Sequence, residues 1–187
     1  MSPAYFITGT DTDVGKTTIA AGLLYAAREN GLSTVAGKPV ASGCEITPQG
    51  LRNADALALM AESSVKLTYD EVNPVAFEPP IAPHIAAREA GQVVNVQTLL
   101  APMRHVLAQQ AGFTLIEGAG GWRVPLSGQD SLSDLAQALD LPVILVVGVR
   151  LGCISHALLT AEAIARDGLQ LAGWVANIIG PKPARRE

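Results

Sequence analysis

The sequence predicts a doubly wound α/β fold: one mainly parallel sheet with helices on both faces. Three observations carry this. Short apolar runs bounded by glycine or proline alternate with longer stretches of helical period. Two of those runs, Phe113–Gly118 and Pro142–Val149, are strongly apolar, as strands buried on both faces must be. Small and aliphatic residues, not aromatics (4%), supply most of the 49% apolar fraction, which suits helices packed closely on a parallel sheet. At 187 residues the chain can bury a substantial core, and residues 1–187 are read as one domain.

In order, Ala4–Thr8 reads as the first strand. A helix follows from Lys16, with Ile19, Leu23 and Ala27 at four-residue spacing and Asn30-Gly31 as its stop. Thr34–Val40 is the second strand, and a helix beginning near Asn53 carries Leu57 and Met60. Pro83 can open a helix, and His105 falls in a helical pattern. After the two apolar strands, Ser155–Asp167 is a further helix and Gly173–Ile179 a further strand. In such sheets ligands bind at the carboxyl ends of the strands, so chemistry should gather there.

Composition excludes several classes. The formal charge is −4, and no basic stripe precedes Arg185-Arg186, which argues against nucleic acid as a partner. Cys44 and Cys153 stand far apart without metal-type spacing and read as reduced thiols of a cytoplasmic protein. No signal pattern is visible and no apolar run reaches ~18 residues, so neither export nor membrane spanning is expected.

The strongest motif is Gly9–Thr18, GTDTDVGKTT. A phosphate loop of the form G-x-x-x-x-G-K-[ST] would place its first glycine at position 10, where Thr10 stands; Gly9 is one place early. The context is nevertheless that of a phosphate site, with a strand before the loop and an amphipathic helix after it. Lys16 can reach the β- and γ-phosphates, and the Thr17 hydroxyl can join a Mg²⁺ shell. Lys38, one of only four lysines, closes an apolar strand before Pro39 at the same sheet edge, which favours function over a surface role. Glu117 ends another strand and leads into Gly118-Ala119-Gly120-Gly121, where a carboxylate can hold Mg²⁺ and glycines admit a ligand to the backbone. Asp55 suits either the helix dipole or the metal. Asp11 and Asp13 inside the loop would repel phosphate unless a metal or amine intervenes, which points to a substrate with a positive group. His84 and Trp122 read as packing residues, His105 as a surface residue, and Arg123 and Arg150 as solvated.

These pieces occur together with Lys38–Gly43 (KPVASG), Asn73–His84 (NPVAF, then P..PH), Val147–Thr160 (VGVRLGCISHALLT) and Gly173–Asn177 (GWVAN). In that order, over nearly the whole chain, they resemble the dethiobiotin synthetase family, whose loop G-T-D-T-x-V-G-K-T contains the extra residue. The resemblance implies a homodimeric ligase of P-loop NTPase type that joins CO2 to 7,8-diaminononanoate, using ATP and Mg²⁺, as a step of biotin synthesis. It further implies that Asp13, Val14, Gly15, Lys16, Thr17 and Thr18, with Gly118, Ala119 and Gly120, bind ATP. Thr17, Asp55 and Glu117 would form the metal site, with Lys38 and Lys16 catalytic. Thr12 and Ser42 would contact the diamine or carbamate, and Asn177 would read adenine. The backbone of Gly152, Cys153 and Ile154 would receive the substrate carboxylate across the dimer interface. Two departures stand out. Ser155 replaces the family's asparagine, where it can still cap the helix. The chain ends at Glu187, where the family continues with a further strand and helical segment. The alternative of another class is a ParA/MinD-like switch ATPase; those loops carry an additional early lysine, and here Asp11-Thr12-Asp13 takes that place.

Overall fold

A computed structural model describes residues 3–179. β1 (Ala4–Gly9) feeds the loop and then α1 (Lys16–Glu29), and β2 (Thr34–Gly37) follows. The chain next makes three short pieces of strand, β3 (Val40–Ala41), β4 (Glu45–Thr47) and β5 (Gly50–Arg52). α2 (Ala54–Glu62), α3 (Tyr69–Val72), β6 (Val75–Ala76), α4 (Pro83–Glu89) and α5 (Val96–Leu107) lead to β7 (Phe113–Glu117). α6 (Leu132–Leu139), β8 (Val143–Gly148), α7 (Cys153–Arg166) and β9 (Leu171–Asn177) complete the order.

Five strands form one sheet in the order β2-β7-β1-β8-β9, and every pairing is parallel. From β1 the chain runs outward to β2, returns to β7, and then crosses to β8 and β9 on the opposite side. The sequence reversal therefore falls beside β1, and the loop after β1 opens at the switch point where ligands of such sheets bind. Successive residues of each central strand serve opposite faces. Phe6 and Ile116 pack with Leu99, Met103 and Leu135 on one side, whereas Ile7 and Leu115 pack with Leu24, Leu59 and Val146 on the other.

Three expectations shift in detail. The predicted strand Thr34–Val40 breaks at Lys38: β2 ends at Gly37, and β3 pairs with β6 in a separate two-stranded piece. Pro39 has no N–H for a ladder. The Lys38 N–H instead donates to the Val72 carbonyl at 2.7 Å, and its carbonyl accepts from Asn73 Nδ2 at 2.7 Å. Helix faces also shift. α1 buries Lys16, Ala20 and Leu24, with Ile19 and Leu23 on the flank, and α2 buries Ala56 and Leu59 while Leu57 is exposed. Finally, Ser155 is no cap: α7 starts two residues earlier, with Gly152 at its N-cap in a left-handed conformation, φ 93°.

Candidate active site

A cleft of about 900 Å³ opens at the carboxyl ends of β1, β2 and β7, as the topology requires. Its lining brings together Thr12, Asp13, Gly15, Lys16, Thr17, Lys38, Ser42, Asp55, Ala119 and Gly120 from five separate stretches of sequence.

The loop's early glycine has a steric reason. A Cβ on Gly9 would lie 2.6 Å from Val14 Cγ2, because the loop folds its own Val14 back over the strand end. Val14 is correspondingly buried. Thr10, in the place of the usual glycine, continues the strand's bonding: its N–H donates to the Val146 carbonyl at 3.0 Å. The loop ends at Gly15, φ 85°, and α1 begins at once, so its first N–H groups face the cleft without a side-chain cap. Lys16 Nζ donates to the Asp11 carbonyl at 3.0 Å, spanning its own loop. Burial, reinforced by the nearby Lys38 charge, brings the Lys16 pKa down to about 8.

Lys38, 3% exposed, reaches from beyond β2 into the floor of the cleft. Its ammonium donates to Glu117 Oε1 at 2.6 Å, Asp55 Oδ2 at 3.2 Å and the Gly118 carbonyl at 3.3 Å. Burial alone would drive its pKa down, but the Glu117 and Asp55 charges outweigh it and hold the pKa above the ordinary lysine value. Thr17 Oγ1 donates to the same Glu117 Oε1 at 2.8 Å. The second oxygen of Glu117, Oε2, is buried and has no hydrogen-bond partner among the described residues. Asp55 sits in the first turn of α2, whose N-cap Asn53 accepts from the Ala56 N–H at 3.2 Å. Ser42 Oγ is likewise buried without a partner among the described residues. Two carboxylates and one backbone carbonyl thus accept from a single ammonium.

The two arginines read as solvated are engaged. Arg150 donates from Nη2 to Asp11 Oδ2 in an ion pair joining the loop to the turn before α7. The Thr12 N–H and Arg150 together hold the Asp11 carboxyl below its ordinary pKa, so the charge of Asp11 is met within the chain. Arg123 Nη2 donates to Asp167 Oδ1 at 2.6 Å, and Trp122 Nε1 to Asp167 Oδ2 at 2.7 Å. Asp167, which no motif marked, thereby clamps the glycine-rich segment after β7 to the end of α7. Trp122 packs edge-on against Phe6, in keeping with its packing role. His105 is half-exposed against Glu71, and His84 Nδ1 is buried without a partner among the described residues.

Other expected residues lie outside the cleft lining. Gly118 lends its carbonyl to Lys38, and Thr18 faces solvent from α1. Asn177 stands behind the loop, donating from Nδ2 to the Val14 carbonyl at 2.9 Å. Cys153 and Ile154 border a different feature, an apolar groove of about 420 Å³ between α7 and β9 that includes Leu158 and Trp174. Within one chain the start of α7 is therefore no part of the cleft. Among the described residues, no cluster of three or more His, Cys, Asp or Glu side chains is placed to hold a metal, and no helix is long and apolar enough to cross a membrane.

Comparison with known proteins agrees with this geometry. A family model described as an AAA domain matches residues 3–187. The chain is 69% identical over 185 residues to an ATP-dependent dethiobiotin synthetase BioD of Pseudomonas paraeruginosa, covering 99% of this chain and 81% of that protein. It is 61% identical over 176 residues to the protein of that name from Cellvibrio japonicus, covering 94% and 77%. Among solved structures, the chimerical protein CapA2B2 superposes with a TM-score of 0.57 at 18% identity, over 97% of this chain and 78% of that one. At that identity the likeness bears on the fold alone.

Proposed function

The chain belongs to the ATP-dependent dethiobiotin synthetases of biotin synthesis, and from that premise we propose how its residues divide the reaction. 7,8-Diaminononanoate, CO2 and ATP become dethiobiotin, ADP and phosphate, a ligation forming the C–N bonds of a cyclic urea. One amine takes up CO2 as a carbamate. A carbamate oxygen attacks the γ-phosphorus and ADP leaves. The second amine then attacks the carbamate carbon, closing the ring and releasing phosphate.

Both attacks gather negative charge between the phosphate loop and the ends of β2 and β7, so fixed cations should dominate catalysis. The observation that carries the assignment is the Lys38 ammonium held at that point by Glu117, Asp55 and the Gly118 carbonyl. Lys38 serves as the catalytic cation on the carbamate and the transferring phosphoryl group, and Lys16 as the phosphate-loop cation. Asp13 to Thr18 and Gly118 to Gly120 receive the phosphates through backbone N–H groups and the Thr17 hydroxyl. Thr12 and Ser42, whose Oγ lacks a partner, orient the diamine or its carbamate.

Magnesium fits the donors present: Thr17 Oγ1, Asp55 and Glu117 are hard oxygen ligands, and Glu117 Oε2 is a buried acceptor without a partner. Mg²⁺ is commonly held by one or two carboxylates plus substrate phosphates, which suits so small a donor set. When bound it supplies charge neutralisation of the β- and γ-phosphates. Asp55, which also accepts from Lys38 Nζ, would then be among the residues that hold the metal.

The homodimer is part of the reading. Leu151, in the turn before α7, is fully exposed, and Ile154 and Leu158 on α7 are 74% and 60% exposed, which supports a second copy covering this face. The backbone of Gly152, Cys153 and Ile154 would then meet the substrate carboxylate bound to the partner, with the Gly152 and Ile154 N–H groups as donors, since the Cys153 N–H donates to the Arg150 carbonyl at 3.0 Å. The substrates are soluble metabolites, which supports a cytoplasmic location.

The deciding experiment supplies labelled bicarbonate. ATP hydrolysis should require both diaminononanoate and bicarbonate, with label entering an acid-stable ring product. ATP hydrolysis indifferent to the diamine would sink this assignment.

A further inference from the structure

Asn177 is the last residue of β9, and its backbone is fixed there. It pairs with Gly148 in the β8–β9 ladder, and its carbonyl accepts from the Val149 N–H at 2.8 Å. From that strand end its side chain reaches a loop 163 residues earlier, donating from Nδ2 to the Val14 carbonyl at 2.9 Å. The contact is close on both sides of the Val14–Gly15 peptide: a Cβ on Gly15 would fall 2.2 Å from Asn177 Nδ2. Gly15 is therefore doubly required, by its left-handed φ of 85° and by the amide lying against it.

The consequence follows from peptide geometry. In a trans peptide the carbonyl and the following N–H point in opposite directions. A carbonyl of Val14 tied to Asn177, behind the loop, turns the Gly15 N–H the other way, and Gly15 lines the cleft. That N–H is among the backbone donors available to an anion just before α1. We infer that Asn177 is a positioning residue for the phosphate loop: its Nδ2–H on the Val14 carbonyl sets the peptide plane that aims the Gly15 N–H at the phosphates. The role is separate from recognition of the base, for which Oδ1 and the second amide hydrogen remain. It couples the two ends of the nucleotide site through one side chain. The inference rests on the reading of the cleft as an ATP site.

Inorganic tripolyphosphate separates the roles, because it carries the phosphate chain and no base. Titration calorimetry on the full chain should show tripolyphosphate binding in competition with ATP. Asn177→Ala should weaken tripolyphosphate about fivefold, the value of one neutral hydrogen bond, and weaken ATP further. Tripolyphosphate affinity unchanged in Asn177→Ala, with only ATP weakened, overturns the latch and leaves a residue that reads the base. If the unsubstituted protein itself fails to bind tripolyphosphate, the nucleotide-site reading falls, and the latch with it. Amide hydrogen exchange without ligand guards against a folding defect in the variant. Faster exchange confined to Val14–Thr17 supports the latch, and faster exchange throughout β8 and β9 overturns it.

Discussion

The cleft and the α7–β9 face invert the usual partition of a folded chain in opposite senses. The cleft buries charge, with Lys38 3% and Glu117 0% exposed, whereas α7 and β9 leave Ile154 74% and Trp174 65% exposed. The two departures are not compensated alike. In the cleft, most of the desolvation cost is offset inside the chain, because ammonium, carboxylates, hydroxyl and carbonyl bond one another. In the proposed reaction this buried charge would stand ready before substrate arrives. Among the described residues the α7–β9 face has no equivalent partner, and a contiguous apolar groove of this kind suits the proposed contact with a second copy. The cluster around Lys38 is bonded within one chain, whereas the apolar face would be covered only by the proposed second copy.

The largest expected effect tests the polar half. Lys38→Ala should lower turnover by on the order of 10²–10³-fold, the usual cost of removing one preorganised electrostatic partner. ATP affinity should change little, because Lys16 and the loop remain. The same substitution strands Glu117, and breaking a buried pair costs about 3–5 kcal/mol, so urea unfolding should register the loss. Unchanged turnover would remove Lys38 from catalysis and make the cluster a structural ion pair.

The apolar half breaks more simply. Ile154→Asp or Leu158→Glu places a charge in the proposed contact between two copies. Loss of a central anchor commonly costs 2 kcal/mol or more, so dimer dissociation constants should rise by roughly 30-fold or beyond. Sedimentation velocity reads the change directly. A wild-type chain that sediments as a monomer at tens of micromolar would dismiss this interface. So would a variant that remains dimeric. Substrate KM should rise with dissociation while kcat per assembled site holds, since only the carboxylate contact crosses the interface.

The polar half of this contrast was legible in the sequence, and the limits of that reading are physical. The strands at Phe113–Glu117 and Val143–Gly148 declare themselves because burial on both faces leaves little room for polar residues. Lys38 and Glu117 could be gathered because each stands where a strand ends, Lys16 because it follows the loop that leaves the end of β1, and parallel strands end on one edge. Helix faces were less legible: Leu57 is exposed while Ala56 and Leu59 are buried, because the partner surface, not the spacing, chooses the face. Contacts made across the fold left no local trace. Asp11 meets Arg150 139 positions away, and Arg123 meets Asp167 44 positions away. No periodicity records such pairs.

A smaller effect concerns how the polar cleft responds to pH. With burial as the main cause, the Lys16 pKa stands at about 8 in the folded chain, below the ordinary lysine value of 10.5. Phosphate favours the ammonium form and raises that pKa again. Binding of metal-free tripolyphosphate should therefore take up protons above pH 8, and its affinity should fall as pH rises from 7 to 9, by at most about tenfold per unit. Calorimetry in two buffers of different ionisation enthalpy measures the uptake. Lys16→Met should bind weakly with no such uptake near pH 8. If Lys16→Met retains the full pH dependence, the cleft owes it to another group.

The smallest effect lies where the two regions meet. Asp11 and Arg150 pair across the seam between the phosphate loop and the turn before α7, and both side chains are about half exposed. An ion pair so placed contributes about 0–1 kcal/mol, because water screens the charges and two long side chains lose freedom to form it. Asp11→Asn and Arg150→Ala should each shift stability within that range, and raising the salt concentration should shrink the difference further. A double-mutant cycle on turnover then decides whether the seam is more than a surface contact. Additive effects in the cycle leave the cleft and the α7 face energetically separate. A coupling well above 1 kcal/mol would mean that closing the apolar face adjusts the loop, and that the two regions work as one site.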